Sequence, residues 1–215
     1  MPLSGGGTEA RYRVSGSYAL NEKPQDVLAR FLAAGAAEVK LKPNGKVAID
    51  LAQAKTAEFT IEYKHILEVS ELTAGPGLLD RYNILPGRFA SHDLGYIEVD
   101  AEAWRDDDRI AEDGEELIAT SAYQALMAPS HRQIRAAMKV QMDRDNPSQT
   151  LDLICKPGVL PAVYEDVVNV DVPQLRISGK FRVEGHNITF DKGQIRAISL
   201  RLAKVDDAAH SLALN

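Results

Sequence analysis

The sequence predicts an α+β fold in which an antiparallel sheet carries helices packed on one side. Three observations lead to this class. A β-α-β-β-β order opens the chain, a three-strand meander ends it, and amphipathic helical segments lie between them. Apolar and polar residues alternate within the predicted strands, as expected where one face of a sheet is buried.

The clearest strands are predicted over residues 173–205. Gly185-His186-Asn187 predicts a first turn and Asp191-Lys192-Gly193 a second, so three consecutive strands form an antiparallel meander. Period-two alternation places apolar residues on one face of its first strand and cations on the other. The cations of that strand are Arg176, Lys180 and Arg182.

The segment Tyr12–Leu20 follows the same pattern as Leu175–Val183. Both read apolar-Arg-β-branched-Ser-Gly-x-aromatic-x-apolar. Chance similarity between two amphipathic strands is one explanation. The other is that the two segments occupy equivalent places in one sheet, with the chain ends side by side.

The order of the opening elements follows from turn and cap residues. Pro24 and Gly35 suit the first turn and the end of a helix. Pro43-Asn44-Gly45 predicts a tight hairpin, because Asn-Gly adopts the positive φ angles that such turns require. A long strand is predicted from Ala57 to Leu72.

Residues 75–95 show no period and are predicted to form a long loop. Loops of this length are uncommon inside compact domains and often carry function. The candidate binding residues in this loop are Arg81, Tyr82, Arg88 and Phe89. The alternative is an irregular packed connection anchored by its leucines and isoleucine.

A cluster of Asp and Glu over 106–116 precedes a helix predicted to start near Glu115, where negative charge favours the helix N-terminus. A further helix is predicted after Ser130, which forms a capping-box pattern with Gln133. On that helix the cations Arg132, Arg135 and Lys139 recur at helical spacing and form a basic stripe. Such a stripe is either the solvent side of an amphipathic helix or a contact surface.

The composition fits a single globular domain over residues 1–215, with a flexible leader over 1–10 and a subdomain bend near 145–161. One cysteine, Cys155, excludes an intrachain disulfide and favours the cytoplasm. No apolar run approaches the roughly 20 residues that cross a bilayer, so no membrane segment is predicted.

Charge is unevenly distributed along the chain. The net charge is −6, with 13 Lys/Arg against 21 Asp/Glu in residues 1–130 and 12 against 8 in residues 131–204. The acidic average argues against a protein dedicated to duplex DNA, whose affinity depends on neutralising phosphates. A local basic face remains compatible with this average.

One constellation suggests catalysis. Asp50 ends a strand, and Glu62-Tyr63-Lys64 lies within the next. This pattern resembles the metal-dependent nuclease signature of the PD-(D/E)xK type, although no proline precedes Asp50. The resemblance implies that Asp50 and Glu62 hold Mg²⁺ and that Lys64 positions the attacking water.

The leading hypothesis is a non-enzymatic binding or assembly protein that needs no cofactor or metal. Its partner is expected to be another protein or a second copy of itself, or else single-stranded nucleic acid held by cations and aromatic rings. The nuclease centred on Asp50, Glu62 and Lys64 is the alternative. The predicted contact residues are Arg81, Tyr82, Arg88, Phe89, Arg132, Arg135, Lys139, Arg176, Lys180 and Arg182.

Overall fold

A computed structural model describes residues 12–41, 45–164 and 167–210. Its α-helices are α1 (Pro24–Ala34), α2 (Asp107–Asp113) and α3 (His131–Asp145). Its strands are β1 (Glu38–Leu41), β2 (Val47–Asp50), β3 (Thr60–Glu62), β4 (Ile66–Thr73), β5 (Ile84–Ser91), β6 (Ile97–Arg105), β7 (Tyr123–Ala125), β8 (Thr150–Cys155), β9 (Val167–Val172), β10 (Ile177–Asp191) and β11 (Gln194–Lys204). Short 3-10 segments lie at Tyr63–His65, Pro157–Tyr164, Pro173–Leu175 and Asp207–His210.

These strands form three sheets. β1 and β2 make a two-stranded hairpin, β6-β5-β7 a three-stranded sheet, and β3-β9-β10-β11-β8-β4 a six-stranded sheet. β3 pairs in parallel with β9, and β5 pairs in parallel with β7. The α+β class is therefore confirmed, whereas the prediction of a purely antiparallel sheet is wrong.

The six-stranded sheet is curled. Its two edge strands, β3 and β4, are consecutive in the chain and are joined by the 3-10 turn Tyr63–His65. In that turn the backbone N–H of Glu62 donates to Nδ1 of His65 at 3.1 Å. The carbonyl of His65 accepts from the N–H of Lys156, which follows β8, at 2.8 Å. The turn therefore brings the two edges of the sheet together.

Alternate residues of the strands point to the concave side of this curled sheet and fill it. In β8, Leu151, Leu153 and Cys155 are buried, while the residues between them are only partly covered. Phe181 of β10 is fully buried in the same cluster. The 3-10 segment Pro157–Tyr164 contributes further buried apolar residues. This cluster is the larger of the two principal cores.

The second principal core lies between α3 and the three-stranded sheet. Ile134, Met138 and Met142 of α3 pack with Leu85 and Phe89 of β5. Their spacing of four residues places them on one face of the helix, because 3.6 residues make a turn. The predicted helix after Ser130 is therefore confirmed, with its apolar face on the sheet.

Gln133 is buried beneath the N-terminal segment and does not complete a capping box. Its Oε1 accepts from the N–H of Arg13 at 3.0 Å, and its Nε2 donates to the carbonyl of Arg13 at 2.8 Å. The segment from Tyr12 to Ala19 forms neither helix nor strand, and the N–H of Ser15 donates to the carbonyl of Met127 at 2.9 Å. The predicted pairing of the chain ends in one sheet is wrong. The segment is bonded instead to Gln133 of α3 and to Met127, which precedes α3.

Two other predicted boundaries are wrong. Residues 185–187 form no turn, since β10 continues through them with a register shift at Gly185 that bends the strand without ending it. The C-terminal meander is therefore one long hairpin, whose turn at Asp191-Lys192-Gly193 is confirmed. The strand predicted over Ala57 to Leu72 is interrupted by the 3-10 turn described above.

The middle of the chain also departs from prediction. β5 occupies 8 residues inside the expected long loop, and its Pro86 and Gly87 obscure the strand pattern. The acidic cluster forms α2 itself, capped where Asp106 accepts from the N–H of Arg109 at 3.1 Å. Gly114, with φ +75°, ends α2, so no helix starts near Glu115. The helix between Pro24 and Gly35 and the pairing of β1 with β2 are confirmed.

Candidate interaction surface

The β1–β2 hairpin presents its apolar face to solvent. Val39 pairs with Ile49, and Val47 lies two residues before Ile49, so these three side chains share one face of the two-stranded sheet. Val47 is 68% exposed and Ile49 is 60% exposed. A face built from β-branched residues is normally buried against another layer. Here the orientation of the hairpin is the reverse of that expected.

The polar face of the hairpin explains this orientation. Asp50 forms ion pairs with Lys40 at 3.3 Å and with Lys55, and its side chain is only 14% exposed. Arg144 of α3 pairs with Glu38 at 3.3 Å and donates to the carbonyl of Ala36 at 2.6 Å. These contacts hold the charged face against α3. The apolar face is consequently directed outward.

Charged groups from several elements meet below the hairpin. They surround a cavity of about 30 Å³, which is large enough for about one water molecule. The titratable residues lining it are Lys40, Asp50, Lys55, Asp143, Arg144, Arg182, Lys204 and Asp207. Arg144 of α3 pairs with Glu38 of the hairpin, and Nζ of Lys180 in β10 donates to the carbonyl of Lys55, just after the hairpin, at 3.3 Å.

Helix α1 and the N-terminal segment extend the exposed apolar face. Leu51, just after β2, packs on Gly35, where its Cδ2 lies 3.4 Å from the position of a Cβ. One turn earlier Phe31 is 38% exposed, and its ring centroid lies 6.4 Å from that of Tyr18. We call this continuous face the hairpin surface; it comprises Tyr18, Leu28, Phe31, Val39, Val47, Ile49 and Leu51.

The hairpin surface exposes a large apolar area. Its seven large side chains are between 38% and 68% exposed. Together they expose an apolar area on the order of several hundred Å², the size at which a patch on a monomer marks an interaction site. The sequence predicted these strands but not this surface, because alternation identifies two faces and not the one that is covered.

The predicted basic stripe lies against Trp104. Arg135 and Lys139 each lie 5.5 Å from the centroid of that ring, and Arg135 also pairs with Glu102 at 3.2 Å. Arg132 is partly exposed at the start of the same helix. A cleft of about 510 Å³ runs beside the two cations, between β6, α2, α3 and the 3-10 segment Asp207–His210.

The residues predicted in the long loop are dispersed. Arg81 pairs with Asp113, and Arg88 pairs with Glu98 at 2.7 Å. Phe89 is 6% exposed and belongs to the core under α3, so its ring is not available to a partner.

Tyr82 is held by an acidic partner. Its hydroxyl donates to Asp145 at 2.6 Å, and burial together with that carboxylate raises the pKa of Tyr82. The loop residues therefore do not form one surface with the basic stripe.

Two of the three cations predicted at the terminal sheet have acidic partners within the described residues. Lys180 pairs with Asp207 at 2.7 Å, and Arg182 pairs with Glu184 at 2.7 Å. Arg176 is exposed at the start of β10 in a left-handed conformation, with φ +56°. The predicted binding residues thus lie in three places, and most of their charge is balanced locally.

The nuclease residues lie on different sheets. Asp50 belongs to the hairpin and pairs with Lys40 and Lys55, whereas Glu62 of β3 pairs with Lys64 at 2.9 Å. The hydrogen bond and charge of Lys64 lower the pKa of Glu62. Over residues 12–41, 45–164 and 167–210, no group of three or more His, Cys, Asp or Glu has an arrangement that fits a metal ion.

Cys155 lies inside the curled sheet. It is fully buried in the larger core, and this burial raises the pKa of its thiol to about 12. A protonated, buried thiol packs as a small apolar group. In the part of the chain that the structure describes, no helix is both long and apolar enough to span a membrane.

Solved structures with a similar fold come from tail and virion proteins. The tail protein from Neisseria meningitidis MC58 superposes with a TM-score of 0.55 and 12% identity, over 87% of this chain and 56% of that one. A chain from the virion of a native gene transfer agent particle superposes with a TM-score of 0.65 and 10% identity, over 89% of this chain and 41% of that one. At these identities the likeness shows the fold alone.

The chain spans about half of the length of these structural neighbours. No protein-family model matches the sequence, and no curated protein matches it.

Proposed function

We propose that this chain is a non-enzymatic assembly protein, a structural subunit of a tail-like or virion-like particle. Its fold is that of chains found in a tail protein and in a virion. A subunit of such a particle acts by presenting surfaces to neighbouring subunits, so its contact surfaces are its functional sites. We also propose that it folds in the cytoplasm before it joins the particle.

The observation that carries this proposal is the outward apolar face of the hairpin. Val47 and Ile49 are mostly exposed, whereas the charged face of the same two strands is covered. Covering apolar surface is the main driving force of protein association. A surface of this kind fits a protein neighbour better than it fits a phosphate backbone.

The distribution of cations favours protein partners over single-stranded nucleic acid. Binding to nucleic acid draws most of its affinity from Lys and Arg that neutralise phosphates. Arg88, Arg135, Lys180 and Arg182 each pair with a carboxylate of this chain. Phosphates would have to displace these carboxylates, which weakens the net gain.

Fractionation of cells that make the particle tests the proposed function. We expect the wild-type chain to sediment with particles in a density gradient. Val47→Asp should move it to the light fractions, because an unpaired carboxylate buried in a contact costs several kcal/mol. Thr189→Asp adds the same charge at an exposed site of β10, outside the hairpin surface, and should leave the chain with the particles.

Results of three kinds would contradict the proposal, the last of them being binding of nucleic acid without particle association. One is a wild-type chain found only in the light fractions of cells that contain particles. Another is enzymatic: cleavage of DNA in the presence of Mg²⁺ that Lys64→Ala abolishes would favour the nuclease. Salt-sensitive binding of a labelled single-stranded oligonucleotide, with no particle association, would favour the nucleic-acid partner.

A further inference from the structure

Within residues 12–41, 45–164 and 167–210, nothing supplies the hairpin surface with the cover that a two-stranded sheet normally needs. An isolated two-stranded hairpin is at best marginally stable in water, and a third strand or a packed layer usually supports it. Here α3 supports only the charged face, through Arg144 and its pair with Glu38. The opposite face keeps Val39, Val47 and Ile49 in solvent.

We infer that the hairpin surface of a second copy of this chain covers this face, with the two copies related by a twofold axis. This inference rests on the proposed assembly function and names the partner. A twofold contact uses the same patch on both copies, so an apolar face meets an apolar face by symmetry. Paired sheet faces pack about 10 Å apart with their side chains interdigitated.

The area of the hairpin surface is large enough to form the apolar part of a dimer contact. A stable dimer contact buries about 800 Å² on each side. The seven apolar side chains supply several hundred Å² of it, and the remainder falls on a polar rim, as in most interfaces. The tyrosine and phenylalanine pair at the α1 end provides the aromatic anchors that are enriched in such contacts.

Mixing two charge variants of the purified full-length chain tests the inference. Ile49→Asp and Ile49→Lys should each weaken self-association at least about a hundredfold, because each dimer would contain two like charges in an apolar contact. The inferred contact places Ile49, which pairs with Val39 on the hairpin face, close to the twofold axis, so in an equimolar mixture the unlike charges face each other. Sedimentation velocity should therefore show dimers in the mixture and monomers in each variant alone.

A crosslink supplies an independent measurement that leaves the surface largely apolar. Ile49→Cys should form a disulfide-linked dimer under mild oxidation, while Thr189→Cys, exposed on β10, should not. The native Cys155 is fully buried and gives no background. Circular dichroism of each variant checks that it is folded.

The outcomes separate this inference from the proposed function. A wild-type chain that stays monomeric at high concentration overturns the twofold contact, and particle association then requires a different protein on this face. Assembly that is unchanged by both Ile49 variants also overturns it, because self-association then uses another surface. Dimers in the mixture, together with the Ile49→Cys crosslink, support it.

Discussion

Asp143 shows how a single buried charge ties the parts of this molecule together. Its side chain is 12% exposed, near the C-terminal end of α3, and lies 3.8 Å from Arg109. Burial raises the pKa of Asp143 to about 6, and the charge of Asp206 adds to this effect. Arg109, Arg182 and a hydrogen bond from the backbone of Asp206 oppose it. The carboxylate is therefore costly to ionise within the fold.

The raised pKa of Asp143 predicts a pH-dependent effect of Asp143→Asn. Between about pH 4 and pH 6 the folded state holds a proton that the unfolded state has lost, so this group stabilises the fold less as the pH rises. The variant lacks the charge. It should exceed the wild type in free energy of unfolding by about 2 kcal/mol near pH 8 and lose that advantage near pH 4.

Urea denaturation at the two pH values measures this difference. Asp108→Asn removes an exposed carboxylate from the same cleft and should change the free energy of unfolding by less than about 0.5 kcal/mol at both. An Asp143→Asn protein that is less stable than the wild type near pH 8 would show that the pair with Arg109 outweighs the cost of burial.

At the scale of elements, α3 organises the fold because it contacts several layers. One face packs on β5, and its neighbouring face, through Ala137 and Val140, packs on Ala36 and Ala52 around the hairpin. Its close approach to β5 depends on Gly87. A Cβ on Gly87 would overlap the sulfur of Met138 and lie 3.1 Å from Cδ1 of Ile134.

Gly87→Ala should therefore destabilise the protein by about 1–3 kcal/mol, the usual cost of overpacking a core. Gly185→Ala is a matched control in β10, since a Cβ there meets nothing within 4 Å, and it should change stability by less than about 0.5 kcal/mol. Thermal or urea unfolding measures both. In a Met138→Ala background the cost of Gly87→Ala should shrink, because the overlapping atoms are gone.

At the scale of the molecule, the α3 layer and the curled sheet, which hold the two principal cores, are connected by several contacts. Four residues separate α3 from β8, and the N–H of Lys204 donates to the carbonyl of Gln149 in this connection at 2.8 Å. Lys180 of the curled sheet pairs with Asp207, close to the C-terminal end of α3. The predicted single domain, with a bend near 145–161, therefore has a direct physical test.

The single tryptophan makes this test specific. Trp104 packs against the core under α3, whereas circular dichroism reports on all helices and strands. In a single cooperative domain, urea unfolding followed by Trp104 fluorescence and by circular dichroism should give coincident midpoints. Separate midpoints would show that the curled sheet and the α3 layer unfold as two domains, with the boundary at the predicted bend.

Local residue patterns were sufficient to locate several elements. Pro24 and Gly35 marked α1, Asn-Gly marked the hairpin, and Asp191-Lys192-Gly193 marked the turn between β10 and β11. Each of these depends on backbone preferences of a few adjacent residues, which is why the sequence alone reveals them. Glycine at position 185 was misleading, because a bulge and a turn favour the same residue.

The sequence by itself determined the α+β class, the alternation of the strands and the overall acidic charge. Tertiary structure alone decided which face of each strand is covered, because burial depends on partners far away in the chain. In the hairpin, the face that carries Lys40 and Asp50 lies inward, because Arg144 of α3 pairs with Glu38 on that same face. The same long-range contacts paired most of the predicted binding cations with carboxylates and left valine, isoleucine and leucine as the exposed surface.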